Sequence, residues 1–180
     1  MKKEIAKADN EILKFWFDEI SPARWFDADP AFDELIRRRF SEVHGAAVRG
    51  ELFEWRETLS GRLAEIIVLD QFSRNLFRHH PAAYASDGMA LILAQELVKQ
   101  PDFNLLPVEK RDVALLPYMH AESSAIHEIA IKLYKKFGSE DSLKFEIAHK
   151  RTIDKFGRYP HRNKALNRRS TEEEMTWLEK

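Results

Sequence analysis

The chain has 180 residues, a formal net charge of −1 and no cysteine. A domain of this length buries about 70% of the surface that its unfolded chain exposes, so the fold needs neither a metal nor a disulfide. The composition excludes a disulfide framework, a cysteine-based zinc or redox site and a global attraction to nucleic acid, and it is typical of a cytoplasmic protein.

Apolar side chains recur every three or four residues along nearly the whole chain, which is typical of helices with one buried face. Capping residues and prolines indicate where the helices start. In chain order, the predicted helices start at or directly after Asp9 or Asn10, Asp29, Thr58, Asp87, Pro107, Ser123, Glu140 and Ser170. No segment alternates like a β-strand, and no apolar run is long enough to cross a membrane. The sequence therefore predicts an all-α fold, an antiparallel bundle of about eight helices, with residues 1–180 as one domain.

Side-chain chemistry adds three local predictions. Asp87 is interpreted as the N-cap of the fourth helix, a role that explains this residue without a function. Ser170 and Glu173 have the spacing of a capping box at the start of the last helix. Trp25 and Phe26, in the loop before the second helix, are expected to pack back onto the core.

The third predicted helix, over residues 58–77, is apolar nearly all round, which marks it as central and buried. Asp70 and Arg74 nevertheless lie in the middle of its apolar face, where their i,i+4 spacing lets them form an ion pair. Because an unpaired buried charge is costly, this pair is either a structural tie between helices or the charged wall of a pocket. Arg78, one turn further on, extends the same edge of the helix.

Histidines and one glutamate occupy informative positions in the second half of the chain. His149 is expected to point inward, because it shares a helical face with Phe145, and it is either a core histidine or a ligand or base. In the preceding segment Glu122 either falls on the apolar side of the pattern or is a carboxylate in the N-terminal turn, stabilised by the helix dipole. His120 and His127 fall on the opposite side. Since His120 and Glu122 are two residues apart and do not share a helical face, neither a metal site nor a cofactor is predicted.

A loop with the sequence FGRYPHRN covers residues 156–163. Its side chains Arg158, His161, Arg162 and Asn163 supply many hydrogen-bond donors and few acceptors. Such a loop beside a helix N-terminus suits a phosphate or a carboxylate. The alternative is that these side chains bond to carbonyl groups at helix ends and fix the loop. The basic run is short and lacks a row of aromatic residues for stacking, so nucleic acid is not an expected partner.

Several motifs together resemble a known family. They are LDQFSRNLFR (residues 69–78), AYASD (83–87), LPYMHAES (116–123), FGRYPHRN (156–163) and LNRRST (166–171). This set resembles an uncharacterised, mainly bacterial family of domains of unknown function, whose members are assigned a tetratricopeptide-repeat-like helical fold. The resemblance implies a superhelical arrangement of the helices and no particular activity. Ala121 stands where a serine is expected, and Asn167 stands where a glycine is expected, which changes the φ preference of the loop.

Two functional hypotheses follow. The first is a pocket protein, with or without catalysis, for a small anionic ligand that carries a phosphate or a carboxylate. Its predicted ligand-binding residues are Asp70, Arg74, Asn75, Arg78, Arg158, Arg162 and Asn163. Its predicted catalytic residues are His120, Glu122, His149 and His161. The second hypothesis is an interaction scaffold for a peptide or protein, in which the same residues are structural. The first predicts that these residues converge on one cavity, and the second that the Asp70–Arg74 pair is closed to water.

Overall fold

The computed structural model describes residues 8–25 and 28–179 of the chain. Within these residues the chain forms eight helices and no strands, which confirms the all-α prediction. The helices are α1 (Ala8–Lys14, continued by a π-helical turn, Phe15–Glu19), α2 (Pro30–Val48), α3 (Leu59–Ile67, a π-helical turn Val68–Phe72, then Ser73–Leu76), α4 (Asp87–Val98), α5 (Val108–Met119), α6 (Ser124–Phe137), α7 (Glu140–Phe156) and α8 (Glu172–Leu178). No helix in this part of the chain is long and apolar enough to span a bilayer. The tetratricopeptide-like superhelical arrangement stays a prediction.

The ends of α2 follow the prediction. The Oδ1 atom of Asp29 accepts a hydrogen bond from the backbone N–H of Ala31 at 2.9 Å, so Asp29 is the N-cap. Gly50, after the last turn, adopts a φ of 73°, which glycine reaches at little steric cost. The predicted start of α1 at Asp9 or Asn10 is too late, because Ala8 already belongs to this helix.

Two capping predictions are wrong. Asp87 is the first residue of α4 and does not cap it, because its carboxylate bonds to arginine side chains instead. The capping box of α8 is formed by Thr171 and Glu174. It lies one residue later than the predicted box of Ser170 and Glu173. The backbone N–H of Glu174 donates to Thr171 at 3.2 Å, and the Glu174 carboxylate accepts from the backbone N–H of Thr171 at 2.8 Å.

The third helix runs through the centre of the fold, and every residue from 63 to 73 is buried. Aromatic side chains from neighbouring elements pack on it. The ring of Trp16 lies 5.9 Å from that of Phe72, and Trp25 stacks on Trp16 at 5.7 Å, as predicted for the loop before α2. Phe26 lies outside the described residues. The central helix therefore supplies a rigid base for the polar side chains at its C-terminal end.

The predicted buried faces of α6 and α7 are confirmed only in part, since Leu133 packs on the core and Ile153 is buried but other positions differ. On α6, His127 is fully buried, although the apolar pattern placed it on the outer side, and Ile129 is 45% exposed. On α7, Glu146 is fully buried and Phe145 is 63% exposed. The reason is that His127 and Glu146 bond to each other between the two helices. Once paired, these polar side chains occupy inward positions that apolar residues take in a plain bundle.

Candidate functional site

One cavity, of about 460 Å³, lies where α3, α5, α7 and the loop after α7 meet. We call it the polar cavity. Its predicted lining residues are Arg74, Arg78, His120, His149, His161 and Arg162. Its lining residues that the sequence did not indicate are His79, Ala83, Tyr84 and Tyr159. Six residues selected from four separate segments therefore lie around a single space.

Asp70 lies behind the wall of the polar cavity, in the π-helical turn of α3, and is only 1% exposed. Its Oδ1 atom is 2.8 Å from Nδ1 of His120 and 3.1 Å from Nη1 of Arg74, and its Oδ2 atom accepts a hydrogen bond from Gln71. Burial raises the pKa of Asp70, but the adjacent Arg74 and His120 outweigh burial and hold the pKa well below its ordinary value. The predicted Asp70–Arg74 pair is therefore present, with the carboxylate ionised.

Arg74 and Arg78 are each held by a carboxylate from another helix. Asp87 accepts hydrogen bonds from both Nη atoms of Arg74, at 2.9 and 3.0 Å. Asp33 of α2 accepts from Nε and Nη2 of Arg78, at 2.6 and 2.7 Å, and from the side-chain amide of Asn75 at 2.8 Å. Asp33 thus fixes two predicted residues, and no local pattern in α2 indicated it, since its partners lie on another helix.

Arg162 is 5% exposed and lies between two aromatic rings. Its guanidinium carbon is 4.8 Å from the ring centroid of Tyr84 and 4.6 Å from that of Tyr159. Its Nη1 atom donates to Asp87 at 3.2 Å and its Nη2 atom to the carbonyl oxygen of His120 at 3.0 Å. Its Nε atom is also buried and has no hydrogen-bond partner in the described part of the chain. Burial lowers the pKa of Arg162 from its ordinary value.

The predicted histidines of the polar cavity are held in the neutral form at neutral pH. Burial is the main cause that lowers the pKa of His120 and of His149. Nδ1 of His149 donates to the carbonyl oxygen of Phe145 at 2.8 Å. Part of the His161 ring faces solvent, but burial of the remainder and the adjacent Arg162 lower its pKa to about 4. All three rings can therefore gain a proton when the charge around them changes.

The permanent charges around the polar cavity balance. Its guanidinium groups are those of Arg74, Arg78 and Arg162. The carboxylates paired with them are those of Asp33, Asp70 and Asp87. No group of three or more histidine, aspartate or glutamate side chains in the described part of the chain is arranged to hold a metal ion.

Glu122 and Arg158 do not line the polar cavity. Glu122 accepts from both Nη atoms of Arg168, at 2.6 and 2.8 Å, and from the backbone N–H of Tyr159 at 2.7 Å. Arg158 donates through Nε and Nη2 to Glu174, at 2.6 and 2.8 Å. These contacts tie the loop after α7 to its neighbours, which is the loop-fixing alternative allowed by the sequence.

Asn163 is also a loop-fixing residue, and it is 1% exposed. Its side-chain amide donates to Ser170 at 3.1 Å and to Glu174 at 3.2 Å, and its Oδ1 atom accepts from Arg168 at 3.0 Å. In the same loop Asn167 adopts a φ of 53°. Asparagine is one of the few residues with a side chain that enter this left-handed region readily, so the loop keeps the conformation that a glycine would adopt.

A second histidine–carboxylate pair lies between α6 and α7, and the sequence did not indicate it. Nδ1 of His127 is 2.6 Å from Oε1 of Glu146. Nε2 of His127 is 2.9 Å from the carbonyl oxygen of Ala121 and 3.1 Å from the hydroxyl oxygen of Tyr159. Both side chains of the pair are fully buried. Because both ring nitrogens are occupied, His127 has no ring atom left for a ligand.

A second cavity, of about 360 Å³, shares Tyr84, His120 and Arg162 with the polar cavity. Apolar side chains, among them Leu91 and Leu166, form much of its remaining wall. His120 and Arg162 are therefore reached from two sides, one mainly polar and one mainly apolar.

Comparison with known proteins gives the same fold and no activity. The model of a family described as "Bacterial protein of unknown function (DUF924)" matches residues 12–180. A solved structure of a protein of unknown function from Agrobacterium tumefaciens is similar at 36% sequence identity and a TM-score of 0.89, over 97% of this chain and 98% of that chain. No curated protein matches the chain.

Proposed function

The chain belongs to this family of bacterial proteins of unknown function, and we propose that it binds a small anionic compound, with a phosphate or a carboxylate group, in the polar cavity. The observation that carries the proposal is the state of Arg162. This side chain is nearly fully buried in the cavity wall, yet its Nε–H has no acceptor in the described part of the chain. A buried donor without a partner costs about 1–3 kcal/mol, and a small shift of this side chain towards the cavity would let an oxygen of a bound ligand offset that cost.

The chemistry of Arg162 favours an anion over a neutral ligand. A guanidinium group presents its N–H donors as a planar fork that fits carboxylate and phosphate oxygens. The rings of Tyr84 and Tyr159 on its two sides hold that plane in place. The ligand therefore meets a group that is already oriented, which reduces the ordering cost of binding.

The histidines are expected to make the affinity for the anion depend on pH. Since the permanent charges around the cavity balance, a bound anion adds net negative charge that protonation of His149 and His161 would offset. Their pKa values are lowered in the free protein, and the anion would raise them. Binding then takes up protons, so affinity is expected to increase as the pH falls from 8 towards 6.

The test is calorimetric titration of the protein with sulfate and with oxalate, dianions whose own charge stays constant between pH 6 and pH 8, at these two pH values. We expect binding that is tighter at pH 6, and a loss of at least about tenfold in affinity in Arg162→Gln, the change expected when one charge-assisted hydrogen-bonding group is removed. Arg158→Gln is the matched control, because Arg158 lies in the same loop and pairs with a carboxylate outside the cavity. Absence of binding to either anion, or equal losses in the two variants, would contradict the proposal.

The scaffold hypothesis receives less support. It predicts an Asp70–Arg74 pair closed to water, but the Arg74 side chain is 20% exposed and lines the polar cavity.

We also propose that the protein is located in the cytoplasm, because a chain without cysteine suits a reducing compartment.

A further inference from the structure

His120 combines three properties that no other histidine of the described part combines. Its Nδ1 atom is 2.8 Å from a buried carboxylate oxygen, that of Asp70. Its other ring nitrogen, Nε2, has no hydrogen-bond partner in that part of the chain, and its side chain is 15% exposed. It also lines the polar cavity. His149 and His161 line the same cavity without a carboxylate partner, and the ring of His127 is fully occupied.

The contacts of Asp70 determine the protonation states of the His120–Asp70 pair. Asp70 interacts with Arg74 and Gln71 as well as with His120, so its carboxylate remains ionised and does not compete for a proton. A neutral His120 must then carry its proton on Nδ1, where it donates to Asp70, and Nε2 keeps a lone pair. A buried carboxylate that fixes the tautomer and stabilises the protonated ring is the arrangement that makes histidine an effective base.

We infer that His120 is a general base for the ligand of the polar cavity and that Asp70 is the residue that positions it. This inference rests on the proposed function, since it assumes an anion at Arg162. Arg162 donates to the main-chain oxygen of His120, so the anion-binding group and the base belong to the same part of the wall. The substrate class is therefore an anionic compound with a hydroxyl group close to its phosphate or carboxylate.

The step is a proton transfer. The O–H bond of the substrate breaks, an N–H bond forms at Nε2 of His120, and the electron pair stays on the substrate oxygen. The imidazolium that results faces the ionised Asp70, and it returns the proton when the reaction is reversed or completed. Arg162, beside it, is placed to stabilise the negative oxygen.

The first test measures the tautomer. Nitrogen-15 spectra of the histidine rings at pH 7, with the His120 signals assigned from His120→Gln, are expected to show a neutral ring protonated on Nδ1. In Asp70→Asn that preference should be lost. A wild-type His120 protonated on Nε2, or on both nitrogens, would overturn the inference. Because this readout uses the wild-type protein, it holds even where Asp70→Asn does not fold.

The second test measures whether a reagent in solution reaches the ring of His120. Diethyl pyrocarbonate modifies unprotonated, accessible ring nitrogens, and mass spectrometry locates the label. We expect rapid labelling of His120 and none of His127 while the protein stays folded, so the second histidine–carboxylate pair serves as the control within the same sample. Resistance of His120 to the reagent would contradict a base that is open to a substrate.

The third test separates this inference from the proposed function. Methyl phosphate and glycerol 2-phosphate both carry the anionic group, but only the second has neighbouring hydroxyl groups. We expect glycerol 2-phosphate to bind at least about fivefold more tightly, a preference that His120→Gln removes and that Arg158→Gln, outside the cavity, keeps. Equal binding of the two compounds overturns the inference and leaves the anion site intact, whereas no binding of either rejects the proposed function itself.

Discussion

Two histidine–carboxylate pairs in this protein share nearly the same geometry and have different surroundings. In each, Nδ1 of the ring lies close to a buried carboxylate oxygen, at 2.8 Å for His120–Asp70 and 2.6 Å for His127–Glu146. Around His127, a main-chain carbonyl group and the hydroxyl group of Tyr159 occupy the other ring nitrogen. Around His120, that nitrogen has no partner among the described residues, and the ring lines the polar cavity.

The difference shows that the surroundings of the second nitrogen, and not the pair itself, separate a structural histidine from a chemically available one. The loop after α7 creates both situations. Its Tyr159 packs against the His127 pair, and its His161 and Arg162 line the polar cavity. Arg158 and Asn163 hold the loop in place through Glu174. Different residues of one short segment therefore serve the fold and the candidate site.

The largest expected effect is on stability. His127→Ala removes the donor that faces Glu146 and leaves a buried carboxyl group without its partner, so the free energy of unfolding should fall by about 3–5 kcal/mol. His120→Ala should cost less, about 1–3 kcal/mol, since Asp70 keeps Arg74 and Gln71 and water can enter from the cavity. Urea denaturation of the two variants measures both values. Equal losses would mean that the two pairs contribute equally to stability. They would contradict the distinction between a structural His127 and an available His120.

An intermediate effect is expected from the contacts that hold the loop. The hydrogen bonds from Arg158 are the main cause that lowers the pKa of Glu174 from 4.5 to about 2. A carboxylate with a lowered pKa stabilises the fold above its unfolded pKa, and this contribution is lost as the pH falls from about 4.5 towards 2. Glu174→Gln should therefore be less stable than the wild type at pH 7, and the difference in urea midpoint should shrink below pH 4.5. A difference that stays constant with pH would show that the charge of Glu174 does not hold the loop.

The smallest effect on stability is expected at His161. This side chain is exposed and makes no side-chain hydrogen bond within the described residues, so His161→Ala should change the free energy of unfolding by less than about 0.5 kcal/mol. Arg162→Ala, one residue further on, should be clearly destabilising, because it loses buried bonds to Asp87 and His120. Thermal melting of the two variants checks the contrast. A large loss in His161→Ala would identify His161 as another loop-fixing residue.

Helical periodicity and capping chemistry were enough to predict the fold class and most helix ends, because both depend on neighbours within a few residues. The Asp70–Arg74 pair followed from the same local geometry, and its i,i+4 spacing is realised at 3.1 Å. From sequence the polar cavity is a hypothesis only, although six of its lining residues are among the predicted site residues.

The errors arose where a partner lies far away in the chain. Asp87 has the position of an N-cap in the sequence, but Arg74 and Arg162 draw its carboxylate towards the cavity. His127 can take a buried position on α6 because its ring forms a hydrogen bond with Glu146 on the next helix. No local pattern contains this information, since each pair depends on how two elements meet. The same holds for Glu122, whose predicted catalytic role remains a prediction while its contacts fix the loop.

The π-helical turn of α3 sets the direction in which its last residues point. Val68–Phe72 widens one turn of the helix, and such a turn contains one residue more than an α-helix needs. Each residue of an α-helix advances the rotation by about 100°, so removing one residue here would restore a regular helix and swing Arg74, Asn75 and Arg78 round by about that angle. Their bonds to Asp87 and Asp33 would then be out of reach, although the composition of the helix would hardly change. The orientation of the candidate site is thus encoded in the length of this helix as well as in its residue types, and aligning related sequences here with a one-residue gap would pair non-equivalent positions.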